Sequence, residues 1–276
     1  MLCSVILSTY NSPEWLEKVL WGYLAQDEAD FEIVIADDGS HSETRDLIAS
    51  YQGQFAHPLV HAWHPDNGFQ KTIILNKAIL ESRSDYLIFS DGDCVARRDF
   101  VSTHLGLREK GCFLSGGYHK LPLKLSRDLT RDDIQSGRAF RPAWMWNQGK
   151  KRSFKDLRLA AKNAGLAPLF NAVTTTRPSW NGHNASGWKS DIVAVNGFDE
   201  RMVYGAEDRE MGDRLRNIGI RAKQIRYSAI CVHLDHARSY VEDEGIAENK
   251  KIWDETRQRK TTYTTFGIVK SSASEP

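Results

Sequence analysis

Residues 84–93 read Ser-Asp-Tyr-Leu-Ile-Phe-Ser-Asp-Gly-Asp, an apolar run that ends in two carboxylates. Its apolar run, residues 86–89, is typical of a strand buried on both faces of a sheet. The run leads directly into Asp91-Gly92-Asp93, where the glycine permits a sharp turn. Because ligands bind at the carboxyl ends of strands in open α/β sheets, the two carboxylates are candidates for a divalent cation that carries a phosphorylated substrate. Asp-Gly-Asp is also an ordinary turn, and the triplet alone does not separate the two interpretations.

Composition limits the class of protein. The chain has 276 residues, 41% hydrophobic and 26% charged, which favours one large globular α/β domain over two independent domains. A formal net charge of +1 gives no reason to expect a nucleic acid partner. No apolar run approaches the ~20 residues of a membrane span, and Met1 is followed almost at once by the first predicted strand, which leaves no room for a signal peptide.

The cysteines indicate a compartment. They lack the CxxC spacing and the density of a secreted disulfide framework, so we expect buried free thiols in a reducing cytoplasm. They stand at positions 3, 94, 112 and 231.

The amino-terminal part repeats a strand, a polar turn and a helix. Residues 2–8 predict a buried strand, and Ser12 and Pro13 predict the cap and first position of a helix over residues 14–25. Residues 31–35 predict a second buried strand that ends in Asp37-Asp38-Gly39-Ser40. This is the βαβ rhythm of a mostly parallel, doubly wound sheet.

The carboxylates of Asp37 and Asp38 have two compatible interpretations. Asp-Asp-Gly-Ser is a turn that caps the helix containing residues 44–50. An acid at the end of the second strand of a nucleotide-binding βαβ unit also bonds a ribose or a base.

The pattern continues to residue 115. Residues 59–63 predict a third strand, and residues 64–71 a loop entering a helix over 72–81, where Lys71 is either a solvated lysine or part of an anion site. Residues 97–109 predict a helix and residues 112–115 a strand. We therefore assign residues 1–115 to a nucleotide-binding half.

Residues 116–180 differ in character and predict a helical, basic insertion. Between residues 120 and 162, twelve Lys or Arg face four Asp, interleaved with Phe140, Trp144, Trp146 and Phe154. The segment is either a solvated insertion or a surface for an anionic acceptor or a lipid headgroup layer. Trp180 and Trp188 then frame a run of small residues, where they serve either an apolar ligand surface or the core.

A second cluster of candidate residues lies in 181–240, which we assign to an acceptor-binding and catalytic half, with a helix and tail over 241–276. Gly205 and Ala206 precede a helix whose first turn carries Glu207 and Asp208. Acids there are either dipole partners or, at the rim of a nucleotide site, a general base. Residues 225–232 predict a return to the sheet, followed by His233 and His236 at a spacing that allows metal ligation.

Together these pieces resemble a family 2 glycosyltransferase of the GT-A fold, a Rossmann-like, open and mostly parallel sheet flanked by helices. The subgroup resembled is that of bacterial chondroitin polymerase domains and the carboxyl region of β-1,4-galactosyltransferases. Four motifs stand in the family's order, over most of residues 2–236. They are Ser8-Thr9-Tyr10-Asn11, Asp37-Asp38-Gly39-Ser40, Asp91-Gly92-Asp93 and Glu207-Asp208.

The resemblance implies a role for each matched residue. Thr9, Tyr10, Asn11 and Asp38 would hold the nucleotide with Asp37 in support, while Lys71, Asn76 and Asp91 would lie near it. Many relatives carry Arg where this chain has Gln70. Asp93 would bind the metal, with His233 and His236 as the further ligand pair. Asp208 would be the catalytic base, Glu207 a ligand of a sugar hydroxyl, and Tyr204, with Trp180 and Trp188, would lie against sugar.

The implied activity is that of an inverting, metal-dependent hexosyltransferase. It would move a sugar from a nucleotide-sugar, a UDP-sugar by this expectation, to a hydroxyl of a bacterial cell-surface glycan or glycolipid precursor. Mn²⁺ or Mg²⁺ suits carboxylate and phosphate oxygens, and imidazole ligands favour Mn²⁺. We expect a cytoplasmic protein, peripheral at the inner face of the membrane. Two alternatives stay open: a non-catalytic glycan-binding module on this fold, and a sugar nucleotidyltransferase, which normally has a glycine-rich basic loop that residues 9–13 lack.

Overall fold

The polypeptide forms an α/β structure, a computed structural model that describes residues 1–163, 165–237 and 243–270. The strands of the described ranges are β1 (Cys3–Thr9), β2 (Phe31–Asp37), β3 (Val60–Trp63), β4 (Tyr86–Asp91), β5 (Cys94–Ala96), β6 (Cys112–Ser115), β7 (Gly117–Lys120), β8 (Ala185–Trp188), β9 (Arg221–Gln224) and β10 (Ile230–His233). The helices are α1 (Pro13–Leu24), α2 (Ser42–Ser50), α3 (Lys71–Glu81), α4 (Phe100–Leu107), α5 (Leu123–Asp128), α6 (Arg131–Gln135), α7 (Pro142–Asn147), α8 (Leu157–Asn163), α9 (Ala167–Val173), α10 (Lys189–Ala194), α11 (Glu207–Asn217) and α12 (Asp243–Arg259).

Seven strands form the central sheet, in the order β3-β2-β1-β4-β8-β6-β9. The pairs β2–β3, β1–β2, β1–β4 and β6–β9 are parallel, and β8 runs antiparallel to both of its neighbours. The sheet is therefore open and mostly parallel, as predicted, and it takes strands from both halves into which we divided the chain. That division itself stays a prediction.

Both faces of the sheet are covered, which explains the continuous apolar runs in its strands. Val5 of β1 belongs to one core cluster with helix α1, whereas Ile6 belongs to another with helix α3. Successive residues of β1 therefore face opposite layers, as the two-residue period of a strand requires. The four cysteines are buried and free, as predicted.

A second, three-stranded sheet was not predicted. Its order is β5-β10-β7, with β10 antiparallel to β5 and parallel to β7. Residues 94–96 therefore form a strand directly after Asp-Gly-Asp, and the following helix is shorter than residues 97–109. The predicted strand over 225–232 is right only at its end. Residues 230–233 form β10, which belongs to the small sheet and not to the central one.

The cap of α1 differs in one respect from the prediction. Pro13 occupies the start of the helix, but the Ser12 side chain makes no capping bond and donates instead to the carbonyl of Tyr10.

The segment over residues 116–180 begins with β7 and continues mainly as short helices, in the residues that the structure describes. Of its four predicted surface aromatic residues, Phe140 is buried and Trp144 packs against the core, whereas Phe154 is fully exposed. Trp146 donates its indole N–H to Asp156. No helix in the described ranges is long and apolar enough to span a membrane.

Candidate active site

One cavity of about 1210 Å³ lies at the carboxyl edge of the central sheet, where β1 and β4 end. It collects residues from all four sequence motifs, which are far apart along the chain. The predicted site residues that line it are Thr9, Tyr10, Asn11, Asp38, Lys71, Asp91, Asp93, Trp180, Tyr204, Glu207, Asp208, His233 and His236. The edge of the sheet therefore forms the candidate active site, and the roles predicted for its residues stay predictions.

Asp38 lies at the end of the cavity where the nucleotide is predicted to bind. Its carboxylate lies 2.8 Å from Nε2 of His64 and accepts the backbone N–H of Gln70 at 3.0 Å. Burial raises the pKa of Asp38 even though both contacts oppose that shift. Gln70 makes this contact through its backbone N–H. The hydrogen bond therefore does not depend on whether this position carries Gln, as here, or the Arg of many relatives.

Asp37 stabilises the turn formed by Asp37-Asp38-Gly39-Ser40. It is fully buried, accepts the backbone N–H of Ser40 at 2.9 Å and lies 2.8 Å from Nε2 of His61. Gly39 has a φ of +89°, and a Cβ there would lie 2.5 Å from the Cα of Asp66. Only glycine fits this turn, which explains the Asp-Asp-Gly-Ser pattern in physical terms.

Asp91 and Lys71 form an ion pair on the floor of the cavity. The carboxylate of Asp91 accepts from Ser8 Oγ at 2.7 Å and from Lys71 Nζ at 3.0 Å. Burial alone would raise the pKa of Asp91, but the charges of Lys71 and His183 lower it to about 2. Burial would likewise lower the pKa of Lys71, but Asp91, Asp208 and Glu207 outweigh it and raise that pKa well above its usual value. Lys71 is therefore a cation shared among three carboxylates.

Asp93, His233 and His236 form a candidate metal centre. Asp93 Oδ2 lies 2.7 Å from Nε2 of His236 and 3.4 Å from Nε2 of His233, and one ligand atom from each residue falls within a 4.8 Å cluster. The pairing of β5 with β10 sets His233 opposite Cys94, which brings Asp93 beside the imidazoles. The backbone N–H of Leu234 also donates to the carbonyl of Asp93 at 2.8 Å.

This cluster fits a divalent cation. The other ring nitrogen of His233, Nδ1, is buried without a hydrogen-bond partner in the part of the chain that the structure describes. One carboxylate and two imidazoles are a donor set suited to Mn²⁺ and less to Mg²⁺, which prefers oxygen. Asp93, His233 and His236 could therefore hold the metal that the resemblance implies.

Glu207 and Asp208 begin α11 directly after a sharp turn. Gly205 and Ala206 both have positive φ, +105° and +71°, so the chain reverses direction immediately before the helix. Glu207 accepts the backbone N–H of Gly205 at 2.7 Å, which buries its side chain against the turn. Burial, followed by the charge of Asp208, raises the pKa of Glu207 to about 7.

The two oxygens of Asp208 have different surroundings. Oδ2 accepts the backbone N–H of Gly182 at 2.8 Å. Oδ1 is buried and has no hydrogen-bond partner among the described residues. Burial raises the pKa of Asp208, while the charge of Lys71 opposes the shift. One oxygen is therefore anchored, and the other is available to accept a proton.

Trp180 supports this helix from the core. Its ring is fully buried between Phe89 and Phe113, at centroid distances of 5.3 and 5.5 Å. A Cβ on Gly212 of α11 would lie 2.7 Å from the Cβ of Trp180, so the glycine permits close packing of helix and indole. Trp180 therefore packs in the core and also lines the cavity, and its predicted contact with sugar stays a prediction.

Trp188 lies outside the cavity, which corrects its predicted role against sugar. It pairs with Tyr86 at the amino end of β4, five residues and so about 16 Å along the strand from Asp91. Its ring packs on that of Tyr86, and its indole N–H donates to the carbonyl of Glu109. Because β8 is antiparallel to β4, the start of β8 reaches the site while its end leaves it.

Asn76 also lies away from the nucleotide end. Its side chain is buried, accepts the backbone N–H of Phe198 at 2.8 Å, and donates to the Phe198 carbonyl and to Glu200. It therefore fastens α3 to the loop that follows α10. It does not line the cavity, and its predicted place near the nucleotide stays a prediction.

We expect Asn76→Ala to lower the free energy of unfolding by about 1–3 kcal/mol, because buried partners lose their hydrogen bonds. Urea unfolding measures the change, with Asn147→Ala, an exposed asparagine, as the matched control. Nucleotide affinity of the folded fraction should stay unchanged. Weaker nucleotide binding at unaltered stability would restore the original prediction.

Some cavity residues were not predicted. They include His183, Tyr118 and Phe69. The Tyr118 ring lies 4.7 Å from that of His183 and 5.1 Å from that of His233, and Phe69 meets Tyr204 edge to face at 6.1 Å. Burial lowers the pKa of His183 to about 4, so this ring is neutral at pH 7. Two of them lay in stretches that carried a sequence signal: His183 in the run of small residues between Trp180 and Trp188, and Phe69 in Gly68-Phe69-Gln70-Lys71, which resembles a signature of bacterial family members.

The open mostly parallel sheet, with acid-bearing loops at one edge, is the GT-A class of architecture. Residues 4–141 match the family described as Glycosyl transferase family 2. The chain therefore belongs to glycosyl transferase family 2. The predicted likeness to chondroitin polymerase and β-1,4-galactosyltransferase domains within the family stays a prediction.

Two relatives show the extent of the sequence similarity. An uncharacterized glycosyltransferase of Bacillus subtilis, YfnE, is 29% identical, in a match that covers 86% of this chain and 65% of that protein. Validoxylamine A glucosyltransferase of Streptomyces hygroscopicus subsp. jinggangensis is 28% identical, over 79% of this chain and 52% of that protein. The chain thus spans about half to two thirds of the length of these relatives.

Solved structures share the fold. TarS 1–349 of S. aureus in complex with UDP-GlcNAc has a TM-score of 0.63 and 15% identity, over 92% of this chain and 65% of that one. The mannosyltransferase PcManGT of Pyrobaculum calidifontis, in complex with GDP-Man and Mn²⁺, has a TM-score of 0.56 and 21% identity, over 86% and 58%. These likenesses establish the GT-A fold.

Proposed function

We propose that the protein is an inverting, metal-dependent glycosyltransferase that transfers a hexosyl group from a UDP-sugar to a hydroxyl of a bacterial cell-surface glycan precursor. The observation that carries the proposal is the unpartnered Oδ1 of Asp208, held in one cavity with the nucleotide loop and the candidate metal centre. A base, a metal-binding carboxylate and a nucleotide-binding loop are the parts that a single displacement at an anomeric carbon requires.

The similar proteins support the donor and acceptor classes. TarS binds UDP-GlcNAc, and PcManGT binds GDP-Man with Mn²⁺. A putative teichuronic acid biosynthesis glycosyltransferase of Bacillus subtilis, TuaG, is 27% identical over 41% of this chain. A nucleotide-sugar donor and a glycan acceptor follow by analogy, and uracil is our proposal for the base.

Each residue has a defined task in the proposed mechanism. Asp38 and the Thr9–Asn11 turn bind the nucleoside, while Asp91 stays ionised beside Lys71. Asp93, His233 and His236 would hold Mn²⁺ near the donor diphosphate. When bound, the cation supplies positive charge that offsets the negative charge growing on the leaving diphosphate.

Asp208 accepts the proton of the acceptor hydroxyl through Oδ1, while Gly182 keeps Oδ2 in place. The acceptor oxygen forms its bond to the anomeric carbon as the bond to the diphosphate breaks on the opposite face, which inverts the configuration. Glu207, with a pKa of about 7, is partly protonated at neutral pH and can donate a hydrogen bond to a sugar hydroxyl. Tyr204 lines the cavity beside Glu207 and would lie against the sugar.

The pH profile should report the state of Asp208. Because its pKa is raised, Asp208 loses its basic form at a higher pH than an ordinary aspartate, whose pKa is about 3.9. We therefore expect kcat/KM to fall on the acid side at a higher pH than an ordinary aspartate would give. Lys71→Met should move this acid limb to higher pH, because Lys71 opposes the upward shift.

An acid limb caused by loss of the metal can be distinguished from one caused by protonation of Asp208. Protonation of metal-binding imidazoles would make the acid limb depend on Mn²⁺ concentration, whereas protonation of Asp208 would not. Profiles at two saturating Mn²⁺ concentrations make the comparison. An acid limb that moves to lower pH in Lys71→Met would contradict the assignment.

Calorimetric titration with UDP, GDP and dTDP, each with Mn²⁺ and with EDTA, tests the donor. Metal-dependent binding of UDP alone is the expected result, and a screen of UDP-sugars would follow. If no nucleotide bound under any condition, the glycan-binding module would replace the enzyme as the better proposal.

We also propose a cytoplasmic location with peripheral contact at the inner face of the membrane. Four buried free thiols suit a reducing compartment. Phe154 is 100% exposed and lies in sequence beside the exposed Lys151, Arg152 and Lys155, and Val173, further along the chain, is 62% exposed. Co-sedimentation should be stronger with phosphatidylglycerol vesicles than with phosphatidylcholine vesicles, and equal binding to both would remove this part of the proposal.

A further inference from the structure

The cavity has a cationic end that the proposed chemistry does not use. Five basic residues line it there: Lys120, Lys155, Arg158, Arg177 and Arg226. Lys120 pairs with Asp235 at 2.8 Å. For the other four, no carboxylate lies within ion-pair distance in the part of the chain that the structure describes. Uncompensated positive charge of this density indicates a site for an anion.

Arg158 and Arg226 form the centre of this cationic end. Arg158 donates to the carbonyl of Tyr118 at 2.8 Å. The Arg226 side chain lies over Gly117, with Nη2 3.5 Å from the position of a Cβ there, and Nη1 donates to Thr176. Each guanidinium carries five N–H donors, and these contacts use only one in each.

Arg226 also has a buried hydrogen-bond donor that is unsatisfied. Its Nε is buried and has no hydrogen-bond partner among the described residues. Burial, followed by the charge of Arg158, lowers the pKa of Arg226. Two cations that destabilise one another beside an open cavity, with donors to spare, would be stabilised by a bound anion.

The order of strands places Arg226 on the opposite side of Asp208 from the nucleotide turn. The Thr9–Asn11 turn follows β1, and Asp91 ends β4, its neighbour. Gly182, which holds Asp208, precedes β8, the next strand, and Arg226 follows β9, two strands further on. At about 4.8 Å between strands, the backbone of β9 lies roughly 14 Å from that of β4, so Arg226 extends from the side of the sheet away from the nucleotide turn.

We propose that Arg158 and Arg226 bind a phosphate group of the acceptor. The inference rests on the proposed function and adds the chemical class of the acceptor: a hydroxyl compound that carries a phosphate. Two guanidinium groups match the tetrahedral oxygens of phosphate, and the further charges of Lys155 and Arg177 favour a dianion over a single carboxylate. The phosphate is held on the far side of Asp208, which directs a hydroxyl of the same molecule towards Oδ1.

The test compares a charged and a neutral probe of one shape. Calorimetric titration at low ionic strength uses sn-glycerol 3-phosphate and glycerol against the wild-type chain, Arg158→Gln, Arg226→Gln and Arg131→Gln. Arg131 is the matched control, an exposed arginine of the same segment outside the cavity. UDP with Mn²⁺ is titrated into all four proteins.

We expect sn-glycerol 3-phosphate, and not glycerol, to bind the wild-type chain and Arg131→Gln. Arg158→Gln and Arg226→Gln should each bind it about tenfold or more weakly, as loss of a charge-assisted contact predicts. UDP binding should stay the same in all four proteins.

Two results would overturn the proposal. One is a wild-type chain that does not bind sn-glycerol 3-phosphate, or that keeps its affinity in both cavity variants. The other is an equal loss of UDP binding in these variants, which would assign the arginines to the donor diphosphate. If no protein bound UDP while sn-glycerol 3-phosphate still required both arginines, the donor assignment would fail and the phosphate site would stand.

Discussion

Asp208→Asn is expected to reduce kcat for sugar transfer by about a hundred- to ten-thousand-fold, the contribution of a positioned general base. Asparagine has nearly the shape of aspartate, and its amide oxygen can still accept the N–H of Gly182. It cannot take the proton of the acceptor hydroxyl. The loss should therefore appear in kcat, with little change in the affinity for UDP and Mn²⁺.

Two controls are needed to interpret the result for Asp208→Asn. Thermal unfolding should show that Asp208→Asn is folded, because the variant also removes one of the carboxylates that compete for Lys71. Asp213→Asn changes a carboxylate of the same helix, which bonds Arg216 and Trp253, and it should keep near wild-type turnover. Wild-type kcat in Asp208→Asn would show that another group is the base.

Asp93→Asn is expected to weaken Mn²⁺ binding by more than about a hundredfold, since even indirect partners of metal ligands contribute 10- to 100-fold. Sugar transfer should fall with it and should not recover at attainable Mn²⁺ concentrations. Electron paramagnetic resonance of free Mn²⁺ measures the affinity without any need for substrate, so the metal site is tested independently of activity.

Asp235→Asn is the matched control for the metal site. Asp235 lies between the two histidines in sequence, but its carboxylate pairs with Lys120 and is outside the cluster formed with Asp93. Its variant should bind Mn²⁺ as the wild-type chain does. Equal losses in the two variants would mean that the loop, and not the ligand set, controls metal binding. His236→Ala should have the larger effect of the two histidine variants, because Nε2 of His236 lies closer to Asp93.

Helix and strand signals are local, and they were strong in the first half of the chain. The apolar runs of β1, β2 and β4 are buried on both sides, and each ends in a polar turn at one edge of the sheet. The predicted nucleotide and metal residues lie at that edge for this reason. The signals were weakest where short strands carry few residues, as in β5 and β9, since three or four residues do not establish a period.

The places of Asn76 and the two tryptophans depended on long-range packing. Their side-chain types suit a binding site and a core equally well, and contacts with distant segments decide between the two; for Asn76 these are the hydrogen bonds to Phe198 and Glu200. The antiparallel course of β8 brings its start to the cavity and carries Trp188 away from it. Gly212 then lets Trp180 pack under α11, an arrangement that no local pattern indicates.

The sequence predicted the α/β class, the edge of the sheet that carries the candidate site, and the acids at strand ends and helix starts, because burial and turn chemistry act over a few neighbouring residues. The tertiary structure alone decided which of these groups meet. Asp93 and His236 are 143 residues apart in the chain, and the β5–β10 pairing brings them within 2.7 Å. Lys71 pairs with Asp91, and Arg158 comes to lie near Arg226, through the same kind of long-range packing. Strand register and helix packing depend on contacts between distant segments, so charge and pKa at the site follow from the folded arrangement and not from any single stretch of sequence.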